Sequence, residues 1–204
     1  MTKQRVDRAL DLCRANGKIN TVMLYFIISA PGEREQDRLA IADYARDVRA
    51  RLGRDDAKVI VKLHQFMPKP GTPTQRFAMT DPDVVTGYGH EIRDRLRTLV
   101  GDDDFEAHYR VEYGETSRMH LEVVCSRGDR RVGHVLEDLY DQGVDMATLT
   151  KAQLVAALER HGLDYDRHLR HMDEPILPWH LLNVVPREAE DALARKLAAR
   201  AAAA

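Results

Sequence analysis

Apolar positions along this chain change period several times, and each change marks an element. Val6, Leu10 and Cys13 recur at helical spacing and Gly17 follows them, which predicts a first helix over residues 3–15. Residues 21–28, TVMLYFII, are apolar without alternation, the pattern of a parallel strand with helices over both faces. From Gln36 the period turns helical again, with Ile41, Ala45, Val48 and Leu52 in one stripe and Gly53 closing it. In residues 57–66, Val59, Val61 and Leu63 fall on one face of a second strand. Strand, helix and strand at this spacing make a right-handed βαβ unit.

Pro68, Pro70 and Pro73 then exclude regular structure, so residues 67–80 read as an extended connection leaving the sheet. Asp81 and Pro82 open a helix through Val85, Tyr88, Ile92, Leu96 and Leu99 to Gly101. Alternation from Phe105 to Tyr113 predicts a strand with one wet face. The remainder reads as helical: a short helix over 117–125, one from Asp129 to Gly143, and one opened by a Thr150–Gln153 capping box. A last helix begins at Pro186. The fold class is therefore α/β. The organisation is a βαβ segment over 1–67, a proline-rich connection over 68–80, and a mainly helical C-terminal lobe with one amphipathic strand over 81–204.

Composition narrows the function classes. Lys and Arg number 31 against 33 for Asp and Glu, a net charge of −2 that gives no sign of the basic face of a general nucleic-acid binder. Two cysteines, Cys13 and Cys125, make neither a disulfide framework nor a zinc site, and they point to a reducing compartment. The charged start MTKQRVDRALDL is unlike a signal peptide, and the apolar run Val22–Ala30 is too short to span a bilayer. A cytoplasmic protein is expected. Nucleophile elbows, phosphate loops and paired zinc ligands are missing from the sequence.

Four segments invite a chemical reading. The loop Ser29-Ala30-Pro31-Gly32-Glu33 follows a buried parallel strand, where α/β folds place ligands, and it also reads as a plain strand-to-helix turn. Beyond it, QFMPKPGTPTQ is a stiff strip beside His64 at the end of the second strand. Ser126-Arg127-Gly128-Asp129-Arg130-Arg131 joins two helices. Its arginines, Arg127 and Arg130 among them, can clamp an anion or tie the turn to carboxylates. His161, His168, His171 and His180 lie among Asp164, Asp166 and Asp173 without a second spaced pair, so they read as capping or solvated groups and no metal site is expected.

In order and spacing these segments resemble the late part of a radical S-adenosylmethionine (radical SAM) protein, of the group associated with cobalamin-binding domains. LYFIISAPGE at 24–33 is similar to that family's G-L-P-G-E turn, with Ser29 where glycine is usual. LHQFMPKPGTPTQ at 63–75, SRGDRR at 126–131 and DEPILPWHLLNVVPREAEDAL at 173–193 extend the resemblance over residues 17–195. The resemblance implies the terminal βαβ portion of a partial radical SAM (β/α) barrel. It implies that Ser29, Ala30, Pro31, Gly32 and Glu33 lie beside the nucleoside of S-adenosylmethionine, and that Phe66, Met67 and Pro68 meet its adenine. His64, Thr72, Gln75, Arg127 and Arg130 would then face substrate.

The family's C-x-x-x-C-x-x-C motif is missing. On this resemblance S-adenosylmethionine binds weakly or in part, while the [4Fe–4S] cluster and cobalamin belong to a full-length or partner context. The implied partner is the missing N-terminal radical SAM portion, or another protein covering the sheet edge. The alternative is a non-catalytic interaction module derived from the same fold.

Overall fold

A computed structural model describes residues 3–114, 116–174, 176–180 and 187–202. Pro186 and the preceding LLNVV stretch lie outside the described residues. Elements follow in the order α1 (Lys3–Asn16), β1 (Thr21–Ile28), α2 (Glu35–Leu52), β2 (Lys58–Gln65), α3 (Pro82–Val100), α4 (Asp102–His108) and β3 (Tyr109–Tyr113). Then come α5 (Thr116–Arg127), α6 (Arg131–Asp141), α7 (Lys151–Arg160), a short turn of 3₁₀ helix (Asp166–His168) and α8 (Arg187–Ala202). No helix among the described residues is long and apolar enough to cross a membrane.

Two compact units emerge. The first comprises Met1–Ile28, Glu33–His64 and Val85–Tyr113; the second comprises Ser29–Gly32, Gln65–Val84 and Gly114–Ala204. The boundary therefore crosses the chain several times.

The first unit holds a three-stranded parallel sheet in the order β1-β2-β3, with no closed barrel. β2 is central because Val59, Val61 and Leu63 are all buried, and they stand opposite Tyr109, Val111 and Tyr113 of β3. Helical side chains fill this face: Leu10 from α1, Ile41, Ala45, Val48 and Leu52 from α2, and Ile92 and Leu96 from α3. Gly53 ends α2 in the left-handed region at φ 59°, as its place after the stripe predicted.

Two expectations are corrected here. β1 is not covered on both faces: Val22, Leu24, Phe26 and Ile28 join the core, while Met23, Tyr25 and Ile27 are 45%, 63% and 65% exposed. The packed helices supply apolar side chains to one face of the sheet only. The alternating segment from Phe105 is also not one strand of a helical lobe. Residues Asp102–His108 form a helix, and only Tyr109–Tyr113 is a strand, paired in parallel with β2. Asp102, Asp103 and Asp104 occupy the first turn of that helix, where its dipole favours carboxylates. Phe105 and Tyr109, four residues apart, stack their rings at 6.4 Å, so apolar spacing of four prevailed over spacing of two.

In the second unit the proline-rich connection is a chain of tight turns instead of an extended strip. Thr72 N–H donates to the carbonyl of Lys69, Gln75 N–H to that of Thr72, and Phe77 N–H to that of Thr74. Pro70 and Pro73 each take the second position of such a turn, and Gly71 follows at φ 70°. The helices α5, α6 and α7 enclose a core of Val124, Val132, Val135, Leu139, Leu154 and Leu158. The Thr150–Gln153 capping box forms with both reciprocal bonds, at 3.3 and 2.9 Å.

Candidate functional site

The turn after β1 is strained. Ser29 has φ 63°, the only non-glycine residue with positive φ among those described, and its Oγ is buried without a hydrogen-bond partner. Such backbone costs a non-glycine residue on the order of 1–2 kcal/mol. Gly32, at φ 79°, then reverses the chain without a side chain.

Within the second unit this turn forms part of a cavity of about 580 Å³. Ser29, Ala30, Pro31 and Gly32 make one wall, Phe77, Ala78, Met79 and Thr80 another, and His171, Ala194 and Leu197 the rest. The rings of Phe77 and His171 lie nearly parallel, 29° apart, with centroids at 6.4 Å. Met79 N–H donates to the carbonyl of Leu169, and Met172 N–H to that of Arg76, which fixes these two stretches side by side. The cavity is thus mainly apolar, with the Phe77 and His171 rings in its lining and one buried hydroxyl lacking a partner. That combination suits a flat heterocycle.

The structure sorts the candidates from the sequence. Ser29, Ala30, Pro31 and Gly32 line the cavity, whereas Phe66, Met67 and Pro68 do not, and Phe77–Thr80 stands there instead. Glu33 belongs to the first unit, where a carboxylate oxygen lies 3.7 Å from the Arg38 guanidinium. His64, also in the first unit, stacks on Tyr25 at 5.9 Å on the exposed sheet face. Thr72 donates its hydroxyl to the Lys69 carbonyl at 2.7 Å and serves the turn.

Gln75 is wholly buried. Its carbonyl oxygen accepts from Trp179 Nε1 and Gly71 N–H, and its amide donates to Glu190.

The three arginines of the SRGDRR string do not converge. Arg127, 1% exposed, donates to the carbonyls of Phe77 and Arg170 at 2.7 Å each, and burial lowers its pKa to about 10. Arg130 is exposed. Arg131 grips Asp129 at 2.7 Å and, with its backbone N–H, holds that carboxyl down to about 2. Arg127 therefore acts on the cavity indirectly, by fixing the carbonyl of Phe77 in one wall and that of Arg170, next to His171, in another.

A second polar cluster escaped the sequence reading. Asp81, Asp83 and His120 bring ligand-type atoms within 4.8 Å of one another. Lys151 Nζ sits between the carboxylates, 2.8 Å from Asp81 and 2.7 Å from Asp83, where it serves as the cluster's own cation. His120, 2% exposed, meets Asp83 through Nε2 at 3.1 Å and the Tyr165 hydroxyl through Nδ1. An ionised carboxylate only accepts, so Nε2 donates to Asp83. The Lys151 bond, and after it that of His120, lowers the pKa of Asp83, and burial raises that of Tyr165. The D-x-D at the start of α3 was visible in sequence, but its link to His120 and Lys151 was not.

Comparison with protein-family models, curated proteins and solved structures finds no match to this chain.

Proposed function

We propose that the chain is the C-terminal portion of a radical SAM enzyme, one that packs the adenine of S-adenosylmethionine and helps enclose substrate without holding the [4Fe–4S] cluster. The observation that carries this reading is the cavity walled by the Ser29–Gly32 turn and the Phe77–Thr80 stretch. Its volume falls within the range of roughly 300–1,000 Å³ common to small-molecule sites. The Phe77 and His171 rings offer a purine aromatic surface, and Ser29 Oγ offers it a hydrogen bond. The turn's sequence, SAPGE, is the one that resembles the family's nucleoside-binding turn.

The cluster does not fit. A [4Fe–4S] centre takes several thiolates, and the chain has two cysteines, Cys13 on α1 and Cys125 on α5. Cluster chemistry, and cobalamin with it, falls to a full-length or partner context. The exposed face of the parallel sheet in the first unit, with Met23, Tyr25 and Ile27 on it, supports a missing part of a barrel as that partner. The same face favours a second reading, a non-catalytic interaction module that kept the fold.

Titration of S-adenosylmethionine into ¹⁵N-labelled protein separates the two. The expected result is weak binding, near the ~1 mM level that corresponds to about −4 kcal/mol. Amide shifts should concentrate at Ala30, Gly32, Ala78 and Met79. Shifts at Met67 instead would return the adenine to the strip named from the sequence. Unmoved resonances at millimolar ligand favour the interaction module.

A further inference from the structure

α8 packs loosely within the second unit. Of its described side chains none is buried, in contrast to α7, which buries Leu154, Ala157 and Leu158. Its inward stripe is short: Glu190, Leu193, Ala194 and Leu197, spaced three and four apart. Glu188, Asp191, Arg195 and Lys196 stay in solvent. Two of the stripe residues, Ala194 and Leu197, wall the cavity. Leu197 lies over Gly32, its Cδ2 3.7 Å from where a Cβ on that glycine would stand. Glu190, with its side chain 12% exposed, accepts from the Gln75 amide and from Arg76 Nε at 3.2 Å.

From this arrangement we propose that α8 is a movable cover of the Ser29–Gly32 cavity, latched by Glu190 to Gln75 and Arg76. A helix with few buried apolar contacts opens at low cost, and helices that gate sites come from this low-stability class. The latch is polar and its partners survive release. Gln75 keeps its bonds to Trp179 and Gly71, and Arg76 keeps those from its Nη1 to the carbonyls of Met172 and Glu174. The floor beneath is likewise independent of α8, because Met79 N–H bonds to Leu169 and Met172 N–H to Arg76. Lifting α8 therefore exposes the strained turn and leaves the rest of the unit standing. The inference concerns access and needs no particular ligand, so it stands or falls separately from S-adenosylmethionine binding.

The test uses the full chain with Cys13 and Cys125 replaced by alanine and a Ser29→Cys substitution as the reporter. The thiol then takes the place of the buried Oγ, and its rate of reaction with a small disulfide reagent reports opening. Glu190→Ala cuts the latch, and Leu197→Glu independently disfavours closure. Each is expected to accelerate labelling at least tenfold while the amides of Met79 and Met172 remain protected from hydrogen exchange. Two results overturn the proposal: equal labelling rates with and without the latch, or loss of protection at Met79 and Met172 in both variants. The latter would make α8 an integral part of the unit's fold.

Discussion

The indole N–H of Trp179 donates to the side-chain carbonyl of Gln75 at 2.8 Å, and both residues are buried. The resemblance implied that Gln75 faces substrate, yet it forms one polar joint with Trp179 across 104 residues of chain. Gln75→Ala leaves the indole N–H and Gly71 N–H unpaired, which should cost about 2–3 kcal/mol. Trp179→Phe, losing one bond and some packed area, should cost less for the polar term alone. Urea unfolding followed by circular dichroism measures both, and a neutral Gln75→Ala would remove the joint from the account.

Arg127 tests the cavity's scaffolding. Its guanidinium bonds two backbone carbonyls, and its Nε has no partner. Arg127→Met matches its length but strands both carbonyls. A loss of about 2–4 kcal/mol is expected, with the largest amide shift changes near Phe77 and His171. Arg130→Met, at an exposed position, should stay within about 0.5 kcal/mol.

Ser29→Gly should stabilise the protein by roughly 1 kcal/mol, because glycine adopts φ 63° without the side-chain penalty and removes an unpaired buried hydroxyl. Thermal unfolding gives the answer. A lower midpoint would mean that the serine hydroxyl does structural work unseen in its surroundings.

Acid should weaken the second unit in a defined window. Asp83 is lowered by Lys151 and His120, and Asp129 is held down to about 2 by Arg131. The unfolded carboxyl value is ~3.9. A depressed folded-state pKa means the stabilisation is complete above the unfolded value and is lost as pH falls through the folded one. The loss should run between pH ~4 and ~2, and be partial, since both side chains retain some solvent contact. Asp83→Asn and Asp129→Asn should each flatten the stability curve there. Parallel curves for wild type and variants would contradict the assignment.

The two faces of the sheet should differ sharply in tolerance. Leu63→Ala opens space in the packed face and should cost about 2–4 kcal/mol. Ile27→Thr, at 65% exposure, should cost under about 0.5 kcal/mol and improve solubility. Equal losses at the two positions would show that something covers β1 in solution.

Sequence alone determined the elements whose signals are local. The strands expected at 21–28 and 57–66, the left-handed stop at Gly53 and the Thr150–Gln153 box all follow from period and from the conformational limits of single residues. Tertiary structure decided what depends on distant partners. Whether TVMLYFII is covered on one face or two turns on where helices lie, and its own residues do not encode that. Phe105 to His108 fits either period, and three aspartates at a helix start tipped the balance. Ser29–Gly32 was legible as a turn of interest because positive φ and chain reversal are local demands. Its meeting with Phe77–Thr80 was not, because consecutive turns at Pro70 and Pro73 carry the chain back by an amount that no pattern of residues states in advance.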